Sequence, residues 1–127
     1  MMNLSQVAKT FGHGPKVTTA ADATPALFGG SFEWTLYVVT VGTLASTLTY
    51  QLQDSEDGTN WTSIDGGLLS CVASSSHLIA VKHTHVRRYT RLLPANGSGN
   101  NLGAVTALRL NLSNSQGTRG VDITIGA

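Results

Sequence analysis

The sequence predicts an all-β fold, a jelly-roll-like β-sandwich of eight or nine short strands. Three observations predict it. Apolar and polar residues alternate with a period of two in several separate stretches, the pattern of strands buried on one face. Turn pairs that supply positive φ, among them Asp57-Gly58, Asp65-Gly66 and Asn96-Gly97, punctuate the chain at short intervals. No window of helical length carries a 3.6-residue apolar period, and the commonest residue is threonine, 16 of 127, a poor helix former. The length fits one domain, read as an extended N-terminal arm over 1–15 and a single sandwich over 16–127.

The arm is read from Gly12, His13, Gly14 and Pro15 and from the scarcity of apolar residues around them. Lys16 to Thr19 is a short strand candidate, and Ala20 to Ala26 has room for one helical turn, limited by Pro25. Glu33 to Val41 (EWTLYVVTV) is apolar on both faces, as in a strand covered on two sides. In Thr47 to Gln53, Leu48, Tyr50 and Leu52 face the core while Thr and Gln face water. Asn60 to Ile64 and Leu68 to Val72 are two short strands with Asp65-Gly66-Gly67 as the turn between them. Leu78 to His83 and Arg87 to Leu93 follow, and Pro94 to Gly103 (PANGSGNNLG) reads as a polar connecting loop. In Ala104 to Leu112 the expectation is Leu108, Leu110 and Leu112 inward, with Arg109 and Asn111 outward. Val121, Ile123 and Ile125, alternating with Asp122 and Thr124, make the final strand.

Charged residues are 12% of the chain, against about 25% in an average soluble domain. The surface must therefore be built largely of hydroxyls, amides and glycine. A formal charge of +1 argues against a protein that lives on phosphate neutralisation, so nucleic acid is not the expected partner. A hydrophobic content of 41% argues against disorder. No stretch approaches the roughly 20 apolar residues of a membrane-spanning helix, and no membrane partner is expected. Met1 to Gly14 has no apolar run of signal-peptide length, so synthesis in a cytoplasm is expected. Cys71 is the single cysteine and sits in an apolar run, where a buried inert thiol is expected.

Chemistry-bearing patterns are few. The chain has no Gly-x-Ser-x-Gly elbow and no phosphate-cradling glycine loop, and Ser74-Ser75-Ser76 before His77 reads as turn sequence. No catalytic residue, metal or cofactor is expected. His83-Thr84-His85 would put two imidazoles on one strand face, but a metal needs a third ligand and no Glu follows Glu56. Asp54, Glu56, Asp57 and Asp65 fail the calcium-loop spacing, because the sixth position counted from Asp54 is Thr59 rather than glycine. What stands out is segregation. Acids gather at Asp54, Glu56 and Asp57, and bases at Lys82, His83, His85, Arg87, Arg88 and Arg91, with Tyr89 among them. Arginine forks suit bidentate carboxylate recognition, so these seven, the three acids with Arg87, Arg88, Tyr89 and Arg91, are the partner-contact candidates.

The stretch Tyr50-Gln51-Leu52-Gln53-Asp54-Ser55-Glu56-Asp57-Gly58-Thr59-Asn60-Trp61-Thr62-Ser63-Ile64, followed by Arg87-Arg88-Tyr89-Thr90-Arg91-Leu92, resembles the hairpin and strand of discoidin-type β-sandwich domains. It is similar as well to small virion proteins of tailed bacteriophages, including jelly-roll head decoration (cement) proteins. In that pattern Gly58 makes the turn and Trp61 packs its ring on the sandwich. The resemblance implies a structural virion protein on the capsid surface that binds the major capsid protein or other virion subunits, forms homo-oligomers and uses no cofactor. Two readings stay open beside it: a discoidin-like carbohydrate-binding module using the loop from Asn96 to Asn101, and a small RNA-phage-type coat protein.

Overall fold

Strand β4 (Leu48–Ser55) carries the alternation that announced it: Leu48, Tyr50 and Leu52 are fully buried, and Thr49 and Gln51 are not. The computed structural model describes residues 7–17, 24, 26–30, 32–44, 47–96, 101–110 and 121–126, with 7–17, 96, 101, 102 and 110 described as backbone. Among these residues nine strands form. The others are β1 (Val7–Val17), β2 (Leu27–Phe28), β3 (Trp34–Leu44), β5 (Thr62–Ser70), β6 (Ser75–Lys82), β7 (Tyr89–Asn96), β8 (Asn101–Leu110) and β9 (Ile123–Ile125). Two sheets result, in the orders β1-β8-β3-β6-β9 and β2-β7-β4-β5. The antiparallel pairs β1·β8, β2·β7, β3·β6 and β4·β5 nest the first half of the chain on the second, like one long hairpin wrapped into a sandwich. That is the jelly-roll arrangement, and the expected all-β sandwich is what the chain forms. Strand β9 adds to the β6 edge in parallel.

The main core lies between the sheets. Tyr37, Val39 and Val41 of β3, Ile79 and Val81 of β6, and Val105 and Ala107 of β8 meet Leu48, Tyr50, Leu52, Leu69 and Leu92 from the other sheet. A smaller cluster lies apart from it: Trp34 and Ala80, with Leu36, Leu108 and Val121 packed against them. Strand β3 thus has apolar contacts on both faces, as its sequence predicts.

Five expectations change. The inward face of β8 is Val105 and Ala107, whereas Leu108 joins the Trp34 cluster. Across the sheet Ala107 pairs with Tyr37 and Val105 with Val39, so the bulk at the inner positions is supplied by β3 and Leu108 serves the opposite face. Leu112 lies outside the described residues.

Residues 7–15 of the expected arm belong to β1, which pairs with β8 along its length. The Gly12-to-Pro15 punctuation is absorbed by register shifts between Phe11 and His13 and between His13 and Lys16. Ladder hydrogen bonds come from the backbone, so low apolar content does not forbid an edge strand. The helical-turn candidate Ala20 to Ala26 lies mostly outside the described residues.

The two strands expected around Asp65-Gly66-Gly67 are one bulged strand, β5. The Pro94-to-Gly103 loop shortens, because β7 runs to Asn96 and β8 begins at Asn101. Pro94 pairs with Tyr50 through β4, while on the other side of β7 the two-residue β2 reaches only Tyr89 and Thr90, so no ladder bond needs a proline N–H. Finally, His83–His85 is a 3₁₀ turn rather than strand. Cys71 is half-buried, and burial pushes its thiol up to about 11.

Candidate functional site

Register brings the acidic and basic segments together. Strands β4 and β7 pair Gln53 with Arg91, Asp54 with Thr90 and Ser55 with Tyr89, so the turn after β4 and the approach to β7 share one end of the four-stranded sheet. Strand β4 ends at Ser55, and the chain then closes on the carboxylate of Asp57. Asp57 Oδ1 accepts from the backbone N–H groups of Thr59 (2.8 Å) and Asn60 (2.9 Å) and from the Ser55 hydroxyl (2.9 Å), and Oδ2 accepts from Asn60 Nδ2 (2.7 Å). Gly58 follows at φ 79, a conformation that suits glycine. Asp57 is therefore a turn residue and pairs with no arginine among the described residues. Its acidity follows: the backbone N–H groups of Asn60 and Thr59, then the side chains of Asn60 and Ser55, hold its carboxyl well below the usual range.

A group whose folded pKa is depressed stabilises above its unfolded pKa, about 3.9 for aspartate, and loses that contribution as pH falls toward the folded value. Asp57→Ala is expected to lower the urea midpoint at pH 7, and the gap from wild type should narrow once pH drops below about 4. A gap unchanged between neutral and acid pH would contradict the role of the ionised carboxylate.

The arginines take separate tasks. Arg88 Nε meets Glu56 Oε1 at 3.3 Å, with both side chains about two-thirds exposed. The backbone N–H of Arg87 donates to Asp54 Oδ2 (3.1 Å), and its guanidinium reaches Thr62 Oγ1 at 3.4 Å. Arg91 turns away onto the sheet face. Its Nε donates to Gln53 Oε1 (2.8 Å) and its guanidinium stacks 4.3 Å from the centre of the Trp61 ring. Trp61 thus packs on the sandwich through Arg91. Tyr89 lies against Phe28, with ring centres 5.5 Å apart.

Between these groups is a cavity of about 580 Å³, walled by Phe28, Glu56, His83, Val86, Arg87 and Arg88 and floored by Gly29 and Gly30. Phe28 is half exposed. His83 Nε2 is 2.7 Å from Thr35 Oγ1, and a β-carbon on Gly29 would collide with its ring. Burial, with a smaller push from the Arg109 charge and against a raising hydrogen bond to the Trp34 backbone, holds His83 below the ordinary histidine value. Arg109 Nη1 donates to the Phe28 carbonyl (3.0 Å), and its guanidinium lies 5.3 Å from the Phe32 ring centre, bracing the same wall from β8. Of the candidates read from sequence, Glu56, Arg87 and Arg88 line this cavity and Tyr89 and Asp54 flank it. Arg91, Asp57, Gly58 and Trp61 build the surrounding surface. Phe28 is new, with the Gly29-Gly30 pair as the sequence signal near it, whereas His83, weighed in the sequence as a metal ligand, enters instead as part of the cavity wall.

Two other clusters take definite form. His83 and His85 do not share a strand face, and among the described residues no three His, Cys, Asp or Glu side chains come together as metal ligands. Ser75, His77 and Asp122 stand in the order of a hydrolase triad, with Ser75 Oγ 3.1 Å from His77 Nε2 and His77 Nδ1 3.7 Å from Asp122 Oδ1. The protons, however, serve the turn. The Ser75 hydroxyl donates to the Val72 carbonyl, and His77 Nε2 accepts from the Val72 N–H (3.1 Å). Asp122 Oδ2 accepts from the Leu78 N–H (2.8 Å), fastening the start of β9.

No protein-family model matches the chain, and no curated protein matches it in sequence. The fold has solved counterparts. The chain is similar to the PBSX exported protein XepA, with a TM-score of 0.62 and 12% identity over 94% of this chain and 43% of that one. It thus spans less than half of XepA. It is also similar to a chain from the Bacillus endospore appendages, described as a family of disulfide-linked pili, with a TM-score of 0.50 and 14% identity over 85% of this chain and 90% of that one. At these identities the likeness is one of fold. Against that fold the charged end stands out, because a chain with so few ionisable groups lines or flanks one cavity with five of its seven candidate contacts, Asp54, Glu56, Arg87, Arg88 and Tyr89.

Proposed function

We propose that the chain is a non-enzymatic structural protein of a bacteriophage particle, a decoration protein that sits on the capsid surface and contacts neighbouring virion subunits through its charged end. The observation that carries this reading is the convergence of Glu56, Arg87 and Arg88 on one solvent-open cavity in an otherwise charge-poor protein. A surface of hydroxyls, amides and glycine loses little hydration free energy when covered, whereas a few charges at one place set register. The shared fold with a phage exported protein supports the setting. Self-association on the particle is part of the proposal, since symmetric repetition multiplies a weak contact.

The test is physical association. Particles induced from the source strain and purified by density gradient should contain the chain at a fixed ratio to the major capsid protein. Recovery only in the particle-free lysate would overturn the proposal. Particles lacking the chain should also release their genome at a lower temperature than complete ones.

A further inference from the structure

We propose that the cavity at the charged end receives an acidic residue of a partner protein, and that Glu56 is its internal competitor, holding Arg88 until that residue arrives. This rests on the reading of the charged end as the partner-contact surface. Two arginines, Arg87 and Arg88, line the cavity against one acid, Glu56, and burial disfavours a charge on His83. Arg88 spends one nitrogen on Glu56, at 3.3 Å, and among the described residues its two Nη groups have no acceptor. The Arg87 guanidinium has only the long 3.4 Å contact to Thr62 Oγ1. The Arg88 fork therefore stands at the cavity with donors to spare, and such forks bind carboxylates in a bidentate manner. The pair that closes the cavity is weak by nature, since both members are about two-thirds exposed and exposed ion pairs contribute little. Glu56 can leave without much cost, and its presence shows that the site accepts a carboxylate.

The apolar wall narrows the ligand to a polypeptide. Half-exposed Phe28 and partly buried Val86 line the same cavity as Arg88, so an acidic residue with an apolar neighbour satisfies both at once.

Glu56 makes the inference testable in sign. The full-length chain, labelled with ¹⁵N, is titrated with an acetylated and amidated Leu-Glu-Glu-Leu peptide, with its Leu-Gln-Gln-Leu counterpart, with trigalacturonate and with inorganic phosphate. The Glu-containing peptide should shift the amides of Phe28, Gly29, Gly30, Arg87 and Arg88. Glu56→Gln should tighten its binding by about three- to tenfold, and Arg88→Gln should weaken it by about tenfold or more. Lys82→Gln, whose ammonium lies over Trp34 outside the cavity, should leave affinity unchanged. Arg88→Lys, keeping the charge without the fork, should fall between wild type and Arg88→Gln, and thermal melts of all variants verify folding. Unchanged or weaker binding by Glu56→Gln overturns the proposal. So does equal affinity for the Gln peptide, or for trigalacturonate or phosphate at the same amides. Particle binding separates the two readings. A wild-type chain absent from particles overturns the virion role alone, whereas an Arg88→Gln chain retained on particles as well as wild type overturns the cavity as the contact.

Discussion

Tyr37→Ala is expected to destabilise the protein by about 3–5 kcal/mol, the usual range for emptying a large aromatic site in a core. That is a large share of the roughly 5–15 kcal/mol total of a typical domain. Tyr37 is fully buried on β3 of the five-stranded sheet, and its hydroxyl lies 2.7 Å from Thr90 Oγ1 on β7 of the other sheet. The side chain therefore fills the core and ties the two sheets together through a hydrogen bond that no water replaces. Tyr37→Phe separates the two contributions. It keeps the ring and strands the buried Thr90 hydroxyl, at an expected cost of about 1–3 kcal/mol. Adding Thr90→Val should recover part of that loss, because both polar partners are then gone.

The same residue sets an alkaline limit. Burial pushes the Tyr37 phenol above its ordinary value of 10.0, against a smaller lowering by the Thr90 hydrogen bond. A raised folded pKa means that its stabilisation is complete below the unfolded value, about 10, and is lost as pH rises beyond it, by up to about 1.4 kcal/mol per pH unit. Urea titrations above pH 10 should show this decline in wild type and a shallower one in Tyr37→Phe. A phenylalanine variant with wild-type stability and wild-type alkaline slope would contradict both parts.

The sandwich was legible where one residue's neighbours in sequence decide its environment. Leu48, Tyr50 and Leu52 show the core face of β4 by alternation alone, and Asp57-Gly58 shows its turn by the short-range bonds that an aspartate makes to the next N–H groups. Strand β8 was not legible in the same way. Its inner positions hold Val105 and Ala107 because Tyr37 and Val39 stand beside them, a fact of cross-strand register that hydrophobicity does not carry. The site divides likewise. Segregation of acids and bases was visible in the chain, but their meeting depends on Ser55 pairing with Tyr89, and Phe28 enters from β2, distant in sequence. Arg91 and Trp61 illustrate the intermediate case: both were singled out, and only the fold makes them partners.

The glycine pair in β5 is the second place where a small change should have a large effect, and the two glycines should fail for different reasons. From Gln51 to Gln53 β4 advances two residues, while its partners on β5, Leu68 and Ser63, are five apart, so residues 64–67 bulge from the ladder. Gln51 Nε2 staples the bulge by donating to the carbonyls of Leu52 (2.9 Å) and Ile64 (3.1 Å). A β-carbon on Gly67 would lie 2.9 Å from Leu52 Cβ and 3.1 Å from the Ile64 carbonyl oxygen. Leu52 is fully buried and has nowhere to retreat, so Gly67→Ala should cost about 1–3 kcal/mol by overpacking, and Gly67→Val more. Gly66 has open space around it but sits at φ 79, so Gly66→Ala should cost about 1–2 kcal/mol from backbone conformation alone. Asparagine tolerates that conformation, and Gly66→Asn should recover much of the loss, whereas Gly67→Asn should be worse than Gly67→Ala. Urea midpoints of the five variants decide the matter. If asparagine rescues at both positions, steric contact with Leu52 is not what requires glycine at 67.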